Sequence, residues 1–249
     1  MKISSIEKGL LIIELLKDNS KGLSVSEISK QLGFPVSTVH HILSTFRSHQ
    51  YVTQDPNTKI YSLGYKFLDI SRKVLKNIDV RQIAHEDLLD LNIASGEATN
   101  LVVLNDYKVV YVDKIDKEGG LSIATHIGYT VEPYATAVGK VLLTKYSNEE
   151  IRKIFSGKTF KAYTDKTVSS VDQLIKEVDK ARTNGYGFDD EEFHRGIRCI
   201  SAPVRAGGQV IAAISVTGSI FHMPDNRLNR DLIGMVIKTA DKISSKMHW

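Results

Sequence analysis

The chain has 249 residues, 25% charged and 42% hydrophobic, with a formal net charge of +4. That length accommodates two domains with separate cores, and the composition, free of low-complexity segments and solenoid-period repeats, excludes a disordered chain or a repeat array. One cysteine, Cys199, excludes an internal disulfide, and with Glu7 and Lys8 inside the first helix and no long uncharged apolar span, the expectation is a cytoplasmic protein with no membrane partner.

Ser4 followed by Glu7 spells a capping box ahead of Ile6, Leu10, Ile13 and Leu16, an apolar stripe that predicts a first helix. Ser24 and Glu27 repeat the signal, Ile28 and Leu32 lie one turn apart, and Gly33 ends that second helix in the left-handed conformation glycine tolerates. Pro35 suits the opening of a third helix, in which Val39, Ile42, Leu43 and Phe46 face inward. Its outward face carries Val36, Ser37, Thr38, His40, His41, Ser44 and Arg47, groups able to reach base edges and phosphates in a major groove. Those residues alone fit either a DNA reader or a solvated helical hairpin. YVTQ and KIYSL around DPNTK then predict a β-hairpin, completing the order of a winged helix-turn-helix. Lys59 in the hairpin reads as a phosphate contact or as a charge keeping an exposed edge soluble. Residues 1–78 hold eleven Lys and Arg against six Asp and Glu, so the basic excess sits in this segment and the remainder is slightly acidic.

Phe67, Leu68, Ser71 and Leu75 keep helical spacing and predict a connecting helix, with a boundary near residues 76–80. Ile83, Leu88, Leu91 and Ile93 begin another helix. Beyond it TNLVVLN and KVVYVDKI read as strands joined by a turn at Asp106 and Tyr107, and LSIATHI as a third. Helices are expected over Ala135 to Tyr146, 148–155 and 171–184; FDDEEF, IRCISAPVR and QVIAAISVTG read as strands; and Asn226 to Met247 closes the chain as a long amphipathic helix. The grouping implies an antiparallel α+β sandwich, not a doubly wound parallel sheet.

Three readings of this second part stand side by side. Cys199 with His194 as its base would make a cysteine-dependent hydrolase, although a cysteine between Ile197, Ile200 and Val204 is more simply a small buried hydrophobe. His194 with the neighbouring acids matches no usual zinc or calcium spacing, so no metal and no cofactor is expected. An apolar cleft with a few placed polar groups, Asp189, Cys199, Ser215 and Thr217, would be a ligand sensor, Ser215 and Thr217 sharing one side of a strand.

As a whole, the chain resembles the IclR family of bacterial transcription regulators. The resemblance lies in GLSVSEISKQLGFPVSTVHHIL with QYVTQDPNTKIYSLGYKFLDI, in GYTVEPYATAVGKVLL, and in GYGFDDEEFHRGIRCISAPV followed by VIAAISVTG, where Gly185, Asp189, Glu192, Cys199, Ile200 and Ser201 fall at the family's spacing. It covers nearly all of residues 5–245. It implies an α+β chain: a winged helix-turn-helix over 1–63, a linker helix over 64–78 and a GAF-like effector-binding domain over 79–249. It further implies a homodimer that commonly pairs into a homotetramer.

Carried over residue by residue, the resemblance lines the effector cleft with Leu121, Ile123, Ala137, Val138, Asp189, Ile197, Cys199, Ser215 and Thr217. The effector would be a small carboxylate, held at a helix N-terminus near Ala137. Two departures bear on specificity. His41 follows His40 where many relatives have an arginine, and imidazole cannot make arginine's two-pronged contact to guanine. Thr217 stands where serine is usual, its methyl narrowing the cleft. The reading is a regulator, not an enzyme: a repressor whose binding to a palindromic double-stranded operator is modulated by a small organic acid, with the hydrolase as alternative.

Overall fold

The computed structural model of the protein describes residues 4–76, 79–117 and 125–247. The chain divides into two compact units, Met1–Asn77 and Ile78–Trp249.

In the first unit three helices, α1 (Ser5–Lys17), α2 (Val25–Leu32) and α3 (Val36–Ser48), precede a hairpin of β1 (Val52–Gln54) and β2 (Tyr61–Leu63), and α4 (Lys66–Lys76) follows. Both capping boxes form. Ser4 and Ser24 accept from the backbone of Glu7 and Glu27, whose carboxylates accept in return from the serine N–H groups. Gly33 closes α2 at φ 67°, and Pro35 sits at the N-cap of α3, one residue ahead of its expected place in the first turn. Ile12, Leu16, Ile28, Val39, Leu43, Val52 and Tyr61 make one buried cluster. Leu23, in the turn before α2, bridges to Tyr61 and so ties the hairpin to the helices.

The second unit is one six-stranded sheet, antiparallel throughout, in the order β5-β4-β3-β8-β7-β6. Its strands are β3 (Ala98–Asn105), β4 (Lys108–Ile115), β5 (Thr130–Val131), β6 (Gly187–Asp190), β7 (Ile197–Ala206) and β8 (Gln209–Ser219). Helices cover both faces, so the sandwich is helix, sheet, helix. Ala212, Ile214 and Val216 of β8 join α5 (Asp79–Ser95) and α10 (Ile233–Ser245) on one side. Ala213 points the other way, into a core with α6 (Ala137–Leu143), α7 (Asn148–Ile154) and α8 (Val171–Asn184). The period of two in a strand produces this division. Asp87 of α5, buried, accepts from Lys242 at 2.8 Å and Lys246 at 2.6 Å and pins α5 to the chain's last helix.

Three details differ from the sequence reading. FDDEEF is a strand only to Asp190, because Glu191 takes φ 64° and turns the chain. The two-residue β5 was not expected, being too short for any alternation to register. The C-terminal helical run begins with α9 (Asp225–Arg227) and a π-helical stretch (Leu228–Leu232) before α10. The expected strand LSIATHI falls largely outside the described residues. Among the described residues no helix is long and apolar enough to cross a membrane.

Candidate DNA interface and effector cavity

On the first unit, Val36, Ser37, His40, His41, Ser44 and Arg47 are exposed along α3 and Thr38 is half-buried, while Val39 and Leu43 are sealed in the core. The outward face expected from sequence is therefore one surface. Lys59, also exposed, lies in the hairpin loop at φ 60°. The Arg47 guanidinium donates to Gln54 Oε1 of β1 at 2.6 Å, and the Gln54 amide donates to the Lys59 carbonyl at 3.3 Å. A chain of hydrogen bonds thus runs from helix to wing and sets the wing's position relative to α3. The wing loop is shaped by Asp55, whose Oδ1 accepts from Asn57 N, Thr58 N and the Thr58 hydroxyl.

On the second unit, the sheet face opposite α5 and α10 carries a row of polar side chains through an otherwise apolar layer. The register sets Asp189 against Cys199, Cys199 against Thr217, and Asn100 against Ser215. Asn100 Nδ2 donates to Ser215 Oγ at 3.1 Å and Thr217 Oγ1 at 3.3 Å, and Thr217 Oγ1 donates to Cys199 Sγ at 3.2 Å. Asp189 Oδ1 accepts from the Glu192 N–H at 2.7 Å. Asn100, Tyr111, Lys114, Asp189, Cys199 and Thr217 surround a cavity of about 30 Å³, closed by Thr136 and Val138 at the start of α6 and by Phe193, His194 and Ile197. Space of that size admits little more than a water or two.

Burial, reinforced by the like charge of Glu192, pushes the Asp189 carboxyl up to about 7. Burial and the nearby Asp189 push the Cys199 thiol up to about 12. Burial raises the Tyr111 phenol further still. A nucleophilic cysteine needs the opposite shift. Cys199 also takes its hydrogen bond from Thr217, and among the described hydrogen bonds none joins it to His194. Both features remove the basis of the hydrolase reading. Among the described residues no group of three or more His, Cys, Asp and Glu side chains is arranged to hold a metal ion.

Behind Asp189 lies the buried pair Lys140 and Glu192. The Lys140 ammonium donates to Glu192 Oε1 and to the Phe188 carbonyl, the latter at 2.9 Å. Two close approaches hold α6 here. A Cβ on Gly139 would lie 2.1 Å from the Pro133 carbonyl oxygen, and one on Gly187 would lie 2.7 Å from that of Ala137.

Of the residues expected in the cleft, Val138, Asp189, Ile197, Cys199 and Thr217 line the cavity. Ser215 reaches it through Asn100, and Ala137 is buried against Gly187 one step away. Leu121 and Ile123 lie outside the described residues. At the start of α6, Thr136 Oγ1 accepts from the Gly139 N–H at 3.1 Å, so one backbone donor expected to face a carboxylate is already engaged. Asn100, Tyr111, Lys114 and Thr136 were not among the expected residues. A polar side chain in step with Val102 in TNLVVLN was a signal for Asn100.

Comparison with known proteins gives a consistent result. The bacterial transcriptional regulator IclR C-terminal model matches residues 72–245, and the IclR helix-turn-helix domain model matches residues 5–56. The HTH-type transcriptional regulator KdgR of Escherichia coli is 32% identical over 248 residues, 99% of this chain and 94% of that protein. The transcriptional repressor IclR of the same organism is 28% identical, covering 98% of this chain and 89% of its own length. The crystal structure of the Thermotoga maritima IclR superposes with a TM-score of 0.80 at 26% identity, over 98% of this chain and 99% of that one.

Proposed function

The chain belongs to the IclR family of bacterial transcription regulators, which makes it a DNA-binding regulator and not an enzyme, and from that premise we propose that its DNA affinity is set by a small organic acid bound in the cavity of the second unit. The observation that carries this reading is the polar row on a cavity in an apolar layer, with Asp189, Cys199 and Asn100 buried and Thr217 half-buried beside them. Polar groups are costly to bury without partners. A row of them facing a shared space is what a recognition site needs and a purely structural core avoids.

In this reading α3 enters the major groove through Val36, Ser37, Thr38, His40, His41 and Ser44, and Arg47 and Lys59 hold phosphates. Two copies, joined through a linker helix over 64–78, present two such helices to a palindromic operator. The cytoplasm is the place of action and repression the sense of control. The effector acts by population shift: a ligand changes DNA affinity only as far as it prefers one arrangement of the protein over another. A cavity of about 30 Å³ has room for little more than a water or two, so a bulkier acid binds by selecting an arrangement in which the cavity is wider.

The test uses the full-length protein and the DNA upstream of its own gene. Fluorescence anisotropy should show nanomolar binding that a small carboxylate from a panel weakens, with the same acid raising the melting temperature. DNA binding that no acid alters, with no thermal shift, would leave a regulator without the proposed effector.

A further inference from the structure

Asn100 is 3% exposed and lies on the cavity, yet only half of its amide is used. Its two N–H donors go to Ser215 and Thr217. Its Oδ1, with no solvent access, has no hydrogen-bond partner among the described residues. The orientation of the amide follows from the network and not from the atoms alone, since nitrogen and oxygen are otherwise interchangeable. Thr217 gives its proton to Cys199. Its oxygen is therefore left as an acceptor and requires the nitrogen side of Asn100, which also reaches the Ser215 hydroxyl. The carbonyl side is turned away from them.

We propose that Asn100 is the specificity-determining residue of the effector cavity, and that its free carbonyl oxygen selects acids bearing a hydroxyl over matched acids bearing a keto oxygen or a hydrogen. The inference rests on the effector reading above and adds the class of acid. A hydroxyl donates to Asn100 Oδ1 and replaces any water there at little loss. A keto oxygen sets two acceptors against each other. A deoxy acid leaves the carbonyl buried and unpaired, the situation that makes sites built for a hydroxyl reject analogues without one. The hydroxyls and the carboxyl of the polar row do not supply the missing donor: Thr217 and Ser215 meet the nitrogen of the Asn100 amide, and Asp189 lies on β6, separated from β3 by β8 and β7, accepting from the backbone of Glu192.

Isothermal titration of the full-length protein with lactate, propionate and pyruvate, and with gluconate against hexanoate, tests this. Wild type should bind the hydroxy acid about tenfold or more tightly than its deoxy or keto partner, the loss expected for one unpaired buried acceptor. Asn100→Leu, apolar and of similar size, should reduce that preference to about threefold or less. The wild-type series decides the matter even if the variant does not fold. Equal affinity within the matched sets, tighter binding of pyruvate or propionate than of lactate, or a hydroxyl preference that survives Asn100→Leu would each overturn the proposal and leave the effector reading standing. If no acid in either series binds, both the effector reading and this inference fall.

Discussion

Lys140 and Glu192 form an ion pair closed off from solvent, the lysine side chain 1% exposed and the glutamate 11%. Glu192 Oε2 has no hydrogen-bond partner among the described residues. The pair joins α6, which carries Val138 to the cavity, to the turn that follows β6, the strand that carries Asp189. Its charges can stay buried only while they face each other. Removing one partner of such a pair costs about 3–5 kcal/mol, whereas replacing both by apolar groups is often close to neutral. Lys140→Met should therefore lower the urea midpoint sharply, and Lys140→Met with Glu192→Leu should recover most of it. A double variant no more stable than the single one would show that the pair is not coupled in this way.

Asp189 gives the fold a pH dependence of definite sign. Its carboxyl is raised in the folded state to about 7 from 3.8, so the protonated form is the one the fold favours. The stability it contributes is present in full below pH 4 and is lost as pH rises towards and through 7. A tenfold change in proton affinity is about 1.4 kcal/mol, so the loss amounts to a few kcal/mol. Lys140 and Glu192 from α6 and the turn, Cys199 from β7 and Tyr111 from β4 face the same carboxyl. Urea unfolding of wild type at pH 5 and pH 8 should show lower stability at pH 8, and Asp189→Asn should flatten that difference. An equal slope in the variant would remove Asp189 as its source.

Gly139 is held to its identity by backbone. A methyl group there would lie 2.1 Å from the carbonyl oxygen of Pro133 and 2.3 Å from its Cα, and no side chain can swing away to make room. Gly139→Ala should cost at least the 1–3 kcal/mol or so of overpacking and shift α6 with it. Thermal unfolding measures the first effect. The second should appear as weakened acid binding, whereas Gly234→Ala on α10, with open space around its Cβ, should leave acid binding unchanged.

The DNA-binding unit was legible in sequence because its signals are local. Ser4 with Glu7 and Ser24 with Glu27 close capping boxes three residues apart, and Gly33 marks its own turn. The sheet of the second unit was legible as strands, since Leu101, Ile200 and Ile214 alternate with residues of the opposite face. The site was legible only in part. Asp189, Cys199 and Thr217 are polar residues within apolar strands, which sequence displays. Asn100 meets its partners 115 and 117 residues further along the chain, and Lys140 meets Glu192 across 52, separations at which no spacing rule operates. Lys140 in particular reads as an ordinary helix lysine until α6 is set against β6.

Cys199 lines the cavity of the second unit without the surroundings of a nucleophile. Its thiol is buried, raised to about 12, and accepts from Thr217, so it serves as a small polarizable wall. Cys199→Ser should leave operator affinity in the absence of acid within about twofold and change only the acid concentration needed for release. Loss of operator binding would mean that Cys199 holds the fold and not the ligand.

At the DNA surface, the guanidinium of Arg47 and the backbone of Lys59 belong to one hydrogen-bonded unit with Gln54, whereas His40 and His41 stand exposed on α3. Two kinds of loss should follow. Each phosphate contact releases about one counterion, so Arg47→Ala and Lys59→Ala should each weaken operator binding and lower the slope of log K against log salt by about one, on any sequence. Arg47→Ala should have the larger effect, because it also releases the wing from the recognition helix. His41→Ala should act differently. A side chain that reads base edges and not phosphates gathers few counterions, so the salt slope should hold while the preference among operator variants narrows by roughly 1–3 kcal/mol at one position of each half-site. A salt slope that falls with His41→Ala, with base preference unchanged, would place His41 among the phosphate contacts instead.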